Sequence, residues 1–117
     1  RLSMSRRVLP ALHEIAIRQG LENINQLGYP HWSFVKLDEP PAHVLTVHYQ
    51  LKNFKTTWEF LNSVAELAAS KRHHPTIITT YNKVDIQLTT HDSDNSVTQD
   101  DLDMAEAIQK QYHELTK

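Results

Sequence analysis

The apolar spacing of this 117-residue chain switches between two periods in a fixed order, and that order limits the fold more than any other feature. From His43 to Leu51, the residues Leu45, Val47, Tyr49 and Leu51 alternate with other residues, the period of a strand with one buried face. Directly after it, Phe54, Trp58, Leu61, Ala65 and Ala68 recur at steps of four and three, the period of a helix with one apolar stripe. The pattern then repeats. A β-branched run from Thr76 to Tyr81 precedes a second alternating run, Val84, Ile86 and Leu88, and a helical stripe of Leu102, Ala105, Ile108, Tyr112 and Leu115 follows. Upstream, Trp32 to Leu37 alternates as a strand, after helical spacing over residues 8–27 (Leu12, Ile15, Ala16, Leu21, Ile24, Leu27). Within that first helix Pro10 belongs in a first turn, and Gly20 is a candidate break into two pieces.

Local signals set the boundaries. Asp38-Glu39-Pro40-Pro41 reads as a turn, because neither proline donates to a sheet ladder. Either Asn53 or a Thr56/Glu59 capping box starts the long helix, and His73-His74-Pro75 stops it after about Ser70. Asn82-Lys83 is the expected tight turn of the second hairpin, Asp92 to Ser96 a polar loop, and Thr98 with Asp101 the start of the last helix. The order is α-β-β-α-β-β-α. It predicts one α+β domain over residues 1–117, a four-stranded antiparallel sheet with helices packed on one face. Phe54, Trp58 and Trp32 are expected in its core.

Composition narrows the chemistry. With no cysteine, disulfide scaffolds, thiol nucleophiles, iron–sulfur clusters and Cys-ligated zinc are all excluded. Two glycines and the absence of a G-x-G-x-x-G or G-x-x-x-x-G-K-[ST] pattern leave no phosphate-cradling loop. A net charge of −2 gives no general reason to bind nucleic acid, and the apolar runs are too short for a membrane span. Charge is nonetheless polarised, from +3 over residues 1–37 to −5 over residues 92–117, as a solvated acidic last helix would give. Arg1, Arg6 and Arg7 beside Ser3 and Ser5 faintly resemble the tail of an organelle-targeting peptide. The expected location is cytoplasmic, with mitochondrial as the alternative.

Eight histidines in 117 residues are the chemical surplus of the chain. If the second hairpin turns at Asn82-Lys83, facing residues sum to 165 and His91 lies opposite His74, beside His73. Three imidazoles then meet at one end of a hairpin. Imidazole exchanges protons near neutrality, and neighbouring imidazoles resist double charging, which separates an acid from a base. On residue pattern alone three readings stay open: proton-transfer catalysis, an open zinc site, or polar loop residues without a role. His13, His31, His43, His48 and His113 fall on expected surfaces and read as solvated.

The run His73-His74-Pro75, Tyr81-Asn82-Lys83-Val84, Leu88-Thr89-Thr90-His91 and Asp101 resembles the pterin-4a-carbinolamine dehydratase family. Tyr49-x-Leu51-x-x-Phe54-x-x-x-Trp58-x-Phe60, Val64-Ala65 and Trp32 are similar to the same family's pattern, so the resemblance covers roughly residues 27–112. It implies dehydration of 4a-hydroxytetrahydropterin to quinonoid dihydropterin, recycling tetrahydrobiopterin with neither a metal nor another cofactor. His73, His74 and His91 are then the catalytic residues, with His73 and His91 in the acid–base roles. Arg72, Thr89, Thr90 and Asp92 are the implied substrate-binding residues. Family members are commonly homodimers or homotetramers, and the animal form also serves as a dimerisation cofactor of a homeodomain transcription factor. The alternative is therefore a non-enzymatic, coactivator-type module of the same fold. Two positions depart from the family pattern, Ala69 where a glutamate is usual and Arg72 where an acid or asparagine is frequent. The two changes predict either histidines held neutral or the loss of a hydrogen bond that orients the pterin. The loop from Asp92 to Ser96 is one residue longer than the common pattern and has no glycine.

Overall fold

The three alternating runs and the β-branched run form the expected strands. In the computed structural model, which describes residues 9–117, β1 spans Ser33–Asp38, β2 Pro41–Gln50, β3 Thr76–Thr80 and β4 Lys83–Leu88. They make one antiparallel sheet in the order β1-β2-β4-β3. Three helices accompany it: α1 (Glu14–Asn25), α2 (Phe54–Lys71) and α3 (Gln99–Thr116). Leu45, Val47 and Tyr49 of β2 and Val84, Ile86 and Leu88 of β4 lie on the sheet face that the helices cover, and all six are buried. Burying such a side chain stabilises the fold by roughly 1.5–3 kcal/mol each. Arg1, Ser3, Ser5, Arg6 and Arg7 lie outside the described residues.

Polar groups inside this core are paired. Gln109 of α3 is fully buried; its amide oxygen accepts from Trp32 Nε1 (3.1 Å) and the Tyr49 hydroxyl (2.6 Å), and its Nε2 donates to the carbonyls of Gly28 and Pro30 (2.9 Å each). Trp32 is 2% exposed, as expected of a core residue. Burial pushes the Tyr49 hydroxyl pKa well above its ordinary value, so it stays a donor.

Several local expectations are corrected. The inward face of α2 is Thr57, Phe60, Leu61, Val64 and Ala68, whereas Phe54 and Trp58 are 55% and 44% exposed. The helix carries two overlapping apolar stripes, and the sheet takes the one with the bulky Phe60 and Val64. Asn53 caps α2 by accepting from Thr56 N (2.8 Å), so the Thr56/Glu59 box does not form. Helix α1 is unbroken at Gly20, where an added Cβ would stand 2.7 Å from Leu102 Cδ1: the glycine lets α1 approach α3. It starts at Glu14, leaving Pro10 outside, and buries Ile17, Leu21 and Ile24, while Ile15 is 75% exposed.

The second hairpin is also shifted. Its pairs, such as Ile77 with Ile86, sum to 163, so the turn is Tyr81-Asn82 and His91 does not face His74 in a ladder. Tyr81 takes the left-handed position (φ 54°), and Asn82 is tied to the end of β2 through Leu51 N (2.8 Å) and Leu51 O (2.8 Å). That anchoring to β2 decides the register. His91 instead opens a 3-10 turn, His91–Ser93, beyond β4.

Candidate active site

Helix α2 ends in a geometry that delivers His73. Arg72 is left-handed (φ 53°, ψ 41°); its N–H points to the Ala69 carbonyl (3.4 Å) and the N–H of His73 to that of Ala68 (3.1 Å). This is the Schellman closure, usually made with glycine at the Arg72 position. Pro75 prevents further helix, and the chain leaves as β3.

What His73 meets there is a buried carboxylate. Its Nε2 lies 2.5 Å from Asp101 Oδ1, with the His73 side chain 12% exposed and Asp101 fully buried. Asp101 is the third residue of α3 and closes a capping box with Thr98: Thr98 N donates to Asp101 Oδ2 at 2.9 Å. Thr90, just past β4, donates its hydroxyl to the same Oδ2 at 2.8 Å. The hydrogen bond to Asp101 raises the His73 pKa against the opposing effect of burial, and the negative charges of Asp101 and Asp100 add to the rise. The expectation of neutral histidines therefore fails at His73. Asp101, an acid of the family pattern itself, outweighs the missing carboxylate at Ala69 for this imidazole.

The second nitrogen of His73 faces outward. Nδ1 has no hydrogen-bond partner among the described residues, where no buried side-chain polar atom is left unpaired, so it reaches solvent. His73 borders a cleft of about 200 Å³ lined by Arg72, His73, His74, Thr89, Thr90, His91 and Asp92. All seven residues singled out from the sequence thus border one hollow, despite the shifted register. His74 and His91 are exposed, and His91 Nδ1 sits 3.2 Å from Asn95 Oδ1. The Thr89 hydroxyl donates to the His43 carbonyl (2.8 Å). Asp94 and Asn95 take left-handed conformations (φ 57° and 54°), which their short polar side chains tolerate, so the loop turns without glycine.

Sequence reasoning left Asp101 out of the site, although its signals were present as a capping-box acid and as part of the family pattern. Its contact with His73 spans 28 residues and is invisible to local periodicity. Of the other histidines, His13, His31, His43 and His48 are exposed as expected, with His48 Nδ1 2.7 Å from Asp85 Oδ1. His113 is half-buried, its ring near Gly28 and Gln109. Among the described residues, no three His, Asp or Glu side chains are grouped to hold a metal ion.

Comparison with known proteins identifies the family. A sequence model of the family described as pterin 4 alpha carbinolamine dehydratase matches residues 10–111. The chain belongs to that family. A relative from Aquifex aeolicus, provisionally named as such a dehydratase, is 30% identical over 106 residues, covering 91% of this chain and 95% of its own. One from Nostoc punctiforme, named in the same provisional way, is 48% identical over 72 residues, 62% of this chain and 73% of its own. The crystal structure of a transcriptional coactivator/pterin dehydratase from Brucella melitensis superposes with a TM-score of 0.70 at 27% identity, over 92% of this chain and 99% of that one. The family match extends well upstream of residue 27, so α1 is part of the shared domain.

Proposed function

We propose that this protein dehydrates 4a-hydroxytetrahydropterin to quinonoid dihydropterin, recycling tetrahydrobiopterin, with His73, His74 and His91 as the catalytic residues and the proton transfers on His73 and His91. The observation behind the proposal is His73 itself, backed by buried Asp101 through Nε2 and bordering a cleft it shares with two further imidazoles. A hollow of about 200 Å³ is smaller than the ~300–1,000 Å³ sites that envelop a whole ligand, and suits one edge of a flat bicyclic ring.

In this reading His73 is the acid. Its raised pKa favours the imidazolium, with Nε2–H held by Asp101 and Nδ1–H free to donate. The N5 lone pair forms the C4a–N5 double bond as the C4a–O bond breaks. Nδ1–H protonates the departing hydroxyl to water, and His91 takes the proton from N5. Solvent then returns the proton from His91 to His73. Water addition or loss needs one proton in and one out, and each positioned group contributes roughly 10²–10⁴-fold. His74 orients the pterin, and Arg72, Thr89, Thr90 and Asp92 border it. Dehydration of chemically generated 4a-hydroxytetrahydropterin tests the proposal, with His73→Ala lowering the rate by about 100-fold or more.

A second reading, a coactivator-type module with a weakened site, draws on the coactivator title of the Brucella melitensis structure and on Ala69. It predicts partner binding indifferent to His73→Ala and no dehydration above background. For either reading we propose a homodimer or homotetramer. Every residue of β3 is exposed at the sheet edge, and Phe54 and Trp58 leave an apolar face on α2. No helix among the described residues is long and apolar enough to cross a membrane.

A further inference from the structure

Resting on that reading of the site, we infer that Thr90 is a positioning residue: its hydroxyl, aimed by the capping hydroxyl of Thr98, commits Asp101 Oδ2 and so reserves Oδ1 for Nε2 of His73. The directions follow from proton counting. Asp101 Oδ2 accepts from Thr98 N (2.9 Å), so its contact with Thr90 Oγ1 (2.8 Å) takes the single Thr90 hydroxyl proton. The 2.7 Å contact between the two threonine hydroxyls must then be donated by Thr98. Thr98 Oγ1 in turn accepts from Asp100 N (3.2 Å). One directed chain results, from Asp100 N–H through Thr98 and Thr90 to Asp101, and each link polarises the next.

With Oδ2 doubly occupied and Asp101 out of solvent, the carboxylate cannot rotate to offer its other oxygen. His73 is thereby fixed with its proton on Nε2 in the neutral form, which keeps Nδ1 as the nitrogen that exchanges protons in the cleft. The N-terminal cap of α3 and the ring orientation of the acid are one hydrogen-bonded unit. Thr90 borders the cleft, but its hydroxyl is spent inward and is not a donor to substrate.

The test compares Thr90→Val, which keeps the branched shape and removes the hydroxyl, with Thr90→Ser, which restores it. Nitrogen NMR of the His73 ring in the folded full chain, at a pH above its raised pKa where the ring is neutral, reads the tautomer without any assay. A single Nε2–H tautomer is expected in the parent and Thr90→Ser, and a mixture with Nδ1–H in Thr90→Val. In the dehydration assay, Thr90→Val lowers kcat on the order of tenfold with KM unchanged, the rate equivalent of one charge-assisted hydrogen bond, and Thr90→Ser recovers it. A Thr90→Val protein that keeps the single tautomer overturns the inference and leaves Thr90 a helix-capping group only. A raised KM with unchanged kcat also overturns it, assigning Thr90 to substrate contact. If the parent shows no dehydration, the functional reading fails while the tautomer comparison still decides the role of Thr90.

Discussion

At the scale of single residues, the His73–Asp101 pair fixes both stability and pH behaviour. The folded pKa of His73 is raised above its ordinary value near 6.5. Its contribution to stability is therefore complete below about pH 6.5 and is lost as pH climbs through the raised folded value. Denaturation midpoints of the parent and His73→Gln, followed from acid to alkaline pH, should differ most at the acid end and converge above the folded pKa. A gap that widens with pH would contradict this. The dehydration rate should fall on its alkaline side with the titration of His73, and Asp101→Asn should move that limb to lower pH, because the favourable charge is gone. Arg72 offers a separate check. A non-glycine residue in the left-handed region costs roughly 1–2 kcal/mol, so Arg72→Gly should raise the unfolding free energy by up to about 1 kcal/mol, after the greater flexibility glycine gives the unfolded chain. Destabilisation on that change would mean that the guanidinium holds the fold.

At the scale of elements, the first turn of α3 does two jobs that a surface cap does not. Thr98→Ala should cost about 1 kcal/mol, the usual price of a lost cap. Asp101→Ala should cost about 3 kcal/mol, because it removes the cap and leaves a mostly buried imidazole without its partner. Equal losses in chemical denaturation would show that the His73 contact adds nothing. The same helix illustrates what the sequence discloses. Its start at Thr98 and its stripe through Ile108 are legible because capping and periodicity are local. The face of α2 is not, since Phe54-Trp58-Leu61 and Phe60-Leu61-Val64 have equal claims to a helical stripe, and only the sheet chooses between them. The hairpin turn fails for a similar reason. Asn82 is held by Leu51, some thirty residues away, which shifts every pair by two. The imidazole cluster survived that slip because Pro75 and the end of β4 bring both segments to one end of the sheet, whatever the pairing. Asp101 was readable as a cap and unreadable as the partner of His73.

At the scale of the whole molecule, the sheet ends in β3, a strand with no charged residue between Thr76 and Thr80 and with Ile78 57% exposed. An open antiparallel edge pairs with a second copy of itself without altering either fold. The proposed assembly predicts a dimer or tetramer by sedimentation equilibrium, shifted toward monomer by Ile78→Lys. A monomeric parent would contradict it. The central claim, however, concerns chemistry rather than assembly, and one comparison tests it most directly: the first-order dehydration of freshly generated 4a-hydroxytetrahydropterin with the parent, His73→Ala and His91→Ala. The account predicts a parent rate far above the uncatalysed one and a drop of about 100-fold or more in each variant. A parent rate equal to the uncatalysed background, or variants as fast as the parent, would contradict it.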